Sequence, residues 1–249
     1  MSATKSQKIV RKLKKAKSYL DYLNLSLTNS KSTATIREVK DKKLSYLETT
    51  TLGELTQAVI KIDRQQIPGI IVETGCALGG SSIVIASNKS RDRELFVYDV
   101  FGMIPPPSDR DDKDVHQRYE VIKQGESIGL GGDLYYGYED NLYDKVAQSF
   151  IDFDLNPTEH NIHLVKGLYE DTLHVDRPVA LAHIDCDWYE SVLTCLKRIE
   201  PHVVKGGILV IDDYYHWSGC QKAVDEYFQN LPDSSYKFIH KTRLHIIKQ

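Results

Sequence analysis

VALAHIDCDWYES (residues 179–191) and GGILVIDDYYHWSGC (residues 206–220) each run from an apolar stretch into paired aspartates and then into a helical pattern. Short apolar strands alternating with helices mark a parallel sheet. Reading outward, SVLTCLKRIEPHV (191–203) and QKAVDEYFQN (221–230) are the helices that follow these two strands. Upstream, GIIVETG (69–75), LFVYD (95–99) and NIHLVKG (161–167) supply three more strands, with a helix at 81–87 after the first. KFIHKTRLHIIKQ (237–249) ends the chain as a hairpin around Thr242. This order predicts an α/β fold: a doubly wound sheet with an antiparallel C-terminal edge strand.

Residues 1–50 stand apart as an N-terminal helical extension and linker, and 51–249 form the main domain. Ile9, Val10, Leu13, Ala16, Leu20, Tyr22 and Leu23 recur at near-helical intervals, which predicts an amphipathic helix over 4–24. Its apolar stripe would dock on the domain or on a second copy of the chain, making a homo-oligomer through this helix an expectation. Residues 25–45 are polar and rich in Ser and Thr, a loop or linker, and 52–62 form a helix that introduces the domain. Between about 100 and 160 the rhythm fails. Long segments of this kind inside a compact domain are usually functional or mobile, and Tyr119, Tyr135, Tyr136, Tyr138 and Tyr143 there would give a lid-like insertion flat surfaces for a polar organic ligand; the plain alternative is a surface insertion packed by its own aromatics.

Composition excludes several classes. The 249 residues carry 32 Lys and Arg against 35 Asp and Glu, a net charge of −3, so nucleic acid is not the expected partner. The mean hydropathy is −0.38, and no run approaches the ~18 apolar residues of a membrane span. The basic N-terminus lacks the apolar stretch of a secretory signal, so a cytoplasmic protein is expected. Cys76, Cys186, Cys195 and Cys220 form no CxxC pair and read as buried small side chains.

Gly75, Gly79 and Gly80 fall where the first strand turns into a helix, and small residues there let a ligand approach the backbone. Ala77 stands where a dinucleotide fingerprint has its second glycine. Asp99 closes the next strand 24 residues after Gly75, near the ~20 at which an acid meets a ribose hydroxyl pair; the plain alternative is a turn or cap residue. Glu73 would put a carboxylate into the same turn, which disfavours the pyrophosphate of NAD and suits the sulfonium of S-adenosylmethionine.

Carboxyl ends of parallel strands line the ligand crevice, so Asp185, Asp187, Asp212 and Asp213 should converge there. Four carboxylates in one crevice call for a cation. Oxygen ligands without thiolates select a hard ion, Mg²⁺, Mn²⁺ or Ca²⁺. Any one of these aspartates alone would more simply cap a helix. His183 alternates onto the face of Asp185 and Asp187, where it either lines the crevice or is buried and hydrogen-bonded. His216 follows the paired acids on a loop and could touch substrate, with Tyr214, Tyr215 and Trp217 as an aromatic wall.

These strings resemble a known family, the metal-dependent O-methyltransferases of macrolide and aminocoumarin biosynthesis, of the macrocin O-methyltransferase type. The resemblance runs from about residue 69 to the C-terminus and is carried by VETGCALGGSS, VYDVFGMIPPP, KGLYEDTL, HIDCDWYES and IDDYYHWSGCQKAVDEY. It implies a Rossmann-like class I methyltransferase sheet. It also implies that Glu73, Gly75, Ala77, Gly79, Ser81, Asp99 and Asp171 hold S-adenosylmethionine, that Asp185, Asp212 and Asp213 bind Mg²⁺ (or Mn²⁺), and that Asp187 is the general base, with His216 a second catalytic candidate. The expected reaction is methylation of a small-molecule hydroxyl acceptor, a sugar-bearing natural product. Rival readings are a catechol or phenol O-methyltransferase, an NAD-dependent oxidoreductase and a non-catalytic carbohydrate-binding module.

Overall fold

The computed structural model describes residues 5–249, except the side chains of 5–11 and 233. Three helices come first: α1 (Lys5–Thr28), α2 (Ser30–Asp41) and α3 (Thr49–Arg64). Then follow β1 (Ile70–Thr74), α4 (Gly80–Asn88), β2 (Leu95–Asp99), α5 (Lys113–Lys123), α6 (Leu142–Asp152), β3 (Ile162–Lys166) and the single turn α7 (Tyr169–Thr172). The chain ends with β4 (Val179–Ile184), α8 (Tyr189–Ile199), β5 (Val203–Ile211), α9 (Ser218–Gln229), β6 (Tyr236–His240) and β7 (Leu244–Lys248).

The strands form one sheet in the order β3-β2-β1-β4-β5-β7-β6, parallel except for β7. The fold class is therefore the expected doubly wound one. In detail, the antiparallel C-terminal strand β7 slots between β5 and β6, one place in from the edge. All five residues of β1 are buried, because helices cover both faces. Ile71, Val97, Leu181 and Ile208 face α2, α3, α4 and α6, whereas Val72, Ala182 and Leu209 face α8 and α9.

The linker expected at 25–45 is mostly helix. Asn29 caps α2 by accepting the Ser32 N–H, and Ser32, Thr33, Ile36 and Val39 are buried on one face. Small hydroxyl residues pack here as close helix–helix spacers, Ser32 donating to Asn88 of α4, and their polarity hid the period. In α1, Ser18, Tyr22 and Leu25 turn toward the domain, while Leu13, Ala16, Leu20, Leu23 and Leu27 are exposed. Of the expected stripe, Tyr22 is thus covered by the domain while Leu13, Ala16, Leu20 and Leu23 are uncovered among the described residues; the side chains of Ile9 and Val10 lie outside the described residues. Among the described residues no helix is long and apolar enough to cross a membrane. All four cysteines are free and buried.

The 100–160 insertion is latched rather than loose. Asp111 accepts the Tyr189 N–H at the start of α8 at 2.8 Å, and Asp114 accepts the Ser218 N–H at the start of α9 at 3.0 Å. Helix N-termini present unsatisfied N–H groups and favour negative charge, so both contacts stabilise. Trp188 Nε1–H reaches the Pro105 carbonyl at 3.1 Å. Of the five tyrosines, Tyr138 bonds the Ile122 carbonyl and Tyr143 packs edge-on to Phe101, bracing the segment.

Two outcomes are expected. Asp114→Ala removes the α9 cap, costs about 1 kcal/mol and speeds amide exchange over residues 113–123; unchanged exchange there would show that the latch carries no weight. His245 on β7 is 3% exposed, and burial, then the charges of Lys241 and His183, push its pKa down to about 3. Unfolded chains take up that proton near pH 6.5 and the folded one does not, so this stability is present above pH 6.5 and declines below it. Urea melts should show the wild-type advantage over His245→Asn shrinking by about 1.4 kcal/mol from pH 7.5 to 5.5.

Candidate active site

The ladder of backbone hydrogen bonds continues one step past each central strand. Gly75 N–H meets Tyr98 C=O, Asp185 N–H meets Thr74 C=O and Asp212 N–H meets Ile184 C=O, each at 2.9 Å. This aligns the turn after β1 with the acids after β4 and β5. Gly75 has φ +83°, and a Cβ there would lie 1.7 Å from the Asp185 carbonyl oxygen. Only glycine allows that approach.

Around this line lies a cavity of about 400 Å³. Gly75, Ala77, Ser81, Asp99, Asp185, Asp187, Asp212, Asp213 and His216 all line it. So do Leu44–Leu47 from the N-terminal extension, Arg118, Tyr135 and Tyr136 from the insertion, and Trp188 and Trp217. The aromatic wall is Trp217 with Trp188, their rings 5.6 Å apart; Tyr214 and Tyr215 turn away to Asp225 and His240.

Three expected cofactor residues are placed otherwise. Glu73 is fully buried behind the turn, accepting from Ser82 Oγ and lying 2.7 Å from His183 Nδ1. Both of its carboxylate oxygens therefore have protein partners, and it does not line the cavity. Gly79, at φ +85°, starts α4 and packs against Val146 rather than lining the cavity. Asp171 is exposed, and its neighbours Tyr169 and Glu170 line the cavity instead. Asp99 is at once a turn anchor and a wall residue. Its Oδ2 accepts the N–H groups of Cys76 (2.7 Å) and Ala77 (3.2 Å), and Oδ1 that of Phe101 (2.7 Å); burial nonetheless raises its pKa.

The acids differ in charge state for physical reasons. Burial works against ionised Asp212, yet the neighbouring His183 and the charge of Arg243, whose Nε donates at 2.7 Å, hold it below the usual range. His183 sits between Glu73 and Asp212, with Nε2 3.7 Å from Asp212 Oδ1. Burial opposes its charge, but the nearby Asp212 and the hydrogen-bonded Glu73 push its pKa up to about 10. Asp185 is driven well up by burial and by Asp212. Asp213 is driven up by burial and by the neighbouring Asp187. Burial lifts Asp187 to about 6, although Asp213 and Trp217 beside it oppose the rise. Asp187 also has φ +58°, in a tight turn closed by Trp188 N–H to Cys186 C=O at 2.7 Å. A left-handed non-glycine residue is sparsely populated and persists where its surroundings enforce it.

The donor set fits a hard divalent cation. Donor atoms of His183, Asp185 and Asp212 lie within 4.8 Å of one another. Asp213, the third acid expected from the sequence, leans on Asp187, but its Oδ2 is buried without a partner. An orphaned carboxylate oxygen beside acids that cannot all ionise is the signature of a place for positive charge. Arg243 and His183 complete the site. Sequence patterning weighed His183 as an open choice and missed Arg243, a single arginine in a hairpin with no local motif.

The chain resembles characterised proteins over most of its length. It is 29% identical over 188 residues to demethyldecarbamoylnovobiocin O-methyltransferase of Streptomyces niveus, covering 71% of this chain and 64% of that enzyme. It is 26% identical over 182 residues to mycinamicin III 3''-O-methyltransferase of Micromonospora griseorubida, covering 71% and 66%. The chain thus spans just under two thirds of the length of these relatives. The structure of the O-methyltransferase NovP superposes with a TM-score of 0.67 at 25% identity, over 83% of this chain and 82% of that one. With the macrocin O-methyltransferase (TylF) family model matching residues 29–233, the chain belongs to that family.

Proposed function

We propose that the protein is an S-adenosylmethionine-dependent O-methyltransferase that methylates a hydroxyl of a sugar-bearing natural product with the help of Mg²⁺ or Mn²⁺. The observation that carries this reading is that the small-residue turn after β1 and the acids after β4 and β5 line one cavity, with Asp185 backbone against Gly75. Family membership and the named activities of the relatives support the reaction class and the acceptor class.

Gly75, Ala77 and Ser81 receive the methyl donor, where the absence of large side chains admits it. Asp99 keeps a lone pair on Oδ1 for a ribose hydroxyl, since a carboxylate oxygen can accept twice. Asp185, Asp212 and the free Oδ2 of Asp213 are the groups that would hold the cation, with His183 and Arg243 fixing the Asp212 carboxylate. A divalent cation, when bound, lowers the pKa of a hydroxyl that reaches it. Transfer from a sulfonium is an in-line displacement, so the chain's work is alignment and proton removal. Asp187 faces the cavity and is ionised at neutral pH yet basic enough to take a proton. His216, on the turn after Asp213 and at the cavity wall, is the second candidate. The uncovered stripe of α1 supports a homo-oligomeric contact through that helix.

The deciding experiment is formation of S-adenosylhomocysteine and of a product 14 mass units heavier, about one methylene, when the protein meets S-adenosylmethionine, Mg²⁺ and a panel of glycosides, catechols and phenols. Methylation of catechols alone would replace the sugar reading. Asp213→Asn should cost at least about 100-fold in turnover with S-adenosylmethionine affinity held by calorimetry, and EDTA should silence the wild type until Mg²⁺ or Mn²⁺ is restored. Activity that survives EDTA removes the cation. Asp187→Asn should lose roughly 10²–10⁴-fold and His216→Gln less than about tenfold; the reverse order makes His216 the base.

A further inference from the structure

Among the described residues, two arginines and no lysine line the cavity. Arg243 is occupied by Asp212. Arg118 is not: among the described residues no carboxylate lies within ion-pair distance of it, and its hydrogen bond runs from Nη2 to Ser127 Oγ at 2.8 Å. It shares its face of α5 with the buried Val115 and Ile122, and its guanidinium lies over the Tyr135 ring, 5.6 Å from the centroid. A guanidinium carries five N–H donors in one plane. Ring and hydroxyl therefore fix that plane and leave most of the fork to the cavity.

Its charge is felt by Asp187 and by Tyr46, residues from separate walls. An acceptor seated with its reacting hydroxyl at the acids turns another part of itself toward Arg118. Neutral sugar hydroxyls can be read by the many carboxylates on these walls, and a guanidinium adds little to that. What a preoriented fork without an internal anion matches is a carboxylate or a phosphate, bound bidentately.

We propose that Arg118 is a specificity-determining residue that selects an acceptor bearing an oxyanion, either a sugar carboxylate or a sugar phosphate ester. This rests on the methyltransferase reading above, which leaves the acceptor's charge open. No bond changes at Arg118; it supplies affinity and orientation.

The test is calorimetric, on the full chain with S-adenosylhomocysteine and Mg²⁺, titrated with methyl glucoside, methyl glucuronide and glucose 1-phosphate. One anionic probe should bind at least about tenfold tighter than the neutral glucoside, and Arg118→Gln should bring that ratio to within about twofold while leaving S-adenosylhomocysteine affinity unchanged. Arg118→Lys should keep part of the preference, since it retains charge but not the fork. The two anionic arms tell carboxylate from phosphate. Equal or absent binding of all three probes overturns the proposal, as does a loss of S-adenosylhomocysteine affinity in Arg118→Gln, which would assign the guanidinium to the amino-acid end of the donor. Failure of the wild type to bind S-adenosylhomocysteine in the first titration, before any sugar is added, instead sinks the parent reading.

Discussion

Glu73, Asp185, Asp187, Asp212 and Asp213 crowd the carboxyl ends of β1, β4 and β5, where His183 and Arg243 are the cations that touch them. Such a group cannot all be ionised in a low-dielectric crevice. The protein resolves the conflict unevenly. One acid, Asp212, is pinned as a carboxylate between two cations, one, Glu73, is buried within the sheet against His183 and Ser82, and Asp187 and Asp213 lie side by side. What remains unbalanced faces the cavity beside Asp185. Charge state and position are thus one problem, because each depends on which neighbour the sheet register supplies.

That register is a backbone matter. Glu73 pairs with His183, His183 with Val210 and Val210 with His245, so one row crosses four strands on the same face. A slip of one residue would turn His183 to the other face and strand both Glu73 and Asp212. The contact of Gly75 with the Asp185 carbonyl holds the row at its open end. Further cavity walls are hung on this frame from outside it. The loop 44–47 reaches in from the N-terminal extension, with Gly80 N–H bonded to Leu44 C=O at 3.0 Å. The insertion is pinned by Asp111 and Asp114 to the starts of α8 and α9, the two helices that follow the acidic loops.

The strands, their parallel order and the meeting of the four aspartates were legible because each rests on short-range pattern: an apolar run, a terminal acid, a helix beginning. Polar α2 was not, since Ser32 and Thr33 are buried through close packing on α4 rather than through hydrophobicity. Asp171 sits in a string that matches the family yet points outward, because α7 is a single turn and exposes that side. Glu73 misled for a different reason. Its spacing from Gly75 is local, but its partner lies 110 residues away on β4.

By itself the amino-acid sequence determined the fold class, the acidic strand ends that meet at the cavity and the family, since periodicity and contiguous motifs are properties of neighbouring residues. Only the tertiary structure decided what each charge meets: that Glu73 meets His183, that Arg243 from the last hairpin holds Asp212, and that Arg118 faces the cavity with no carboxylate in ion-pair distance among the described residues. Those pairings are made across strands and between distant segments, where side-chain chemistry alone allows many partners and packing selects one.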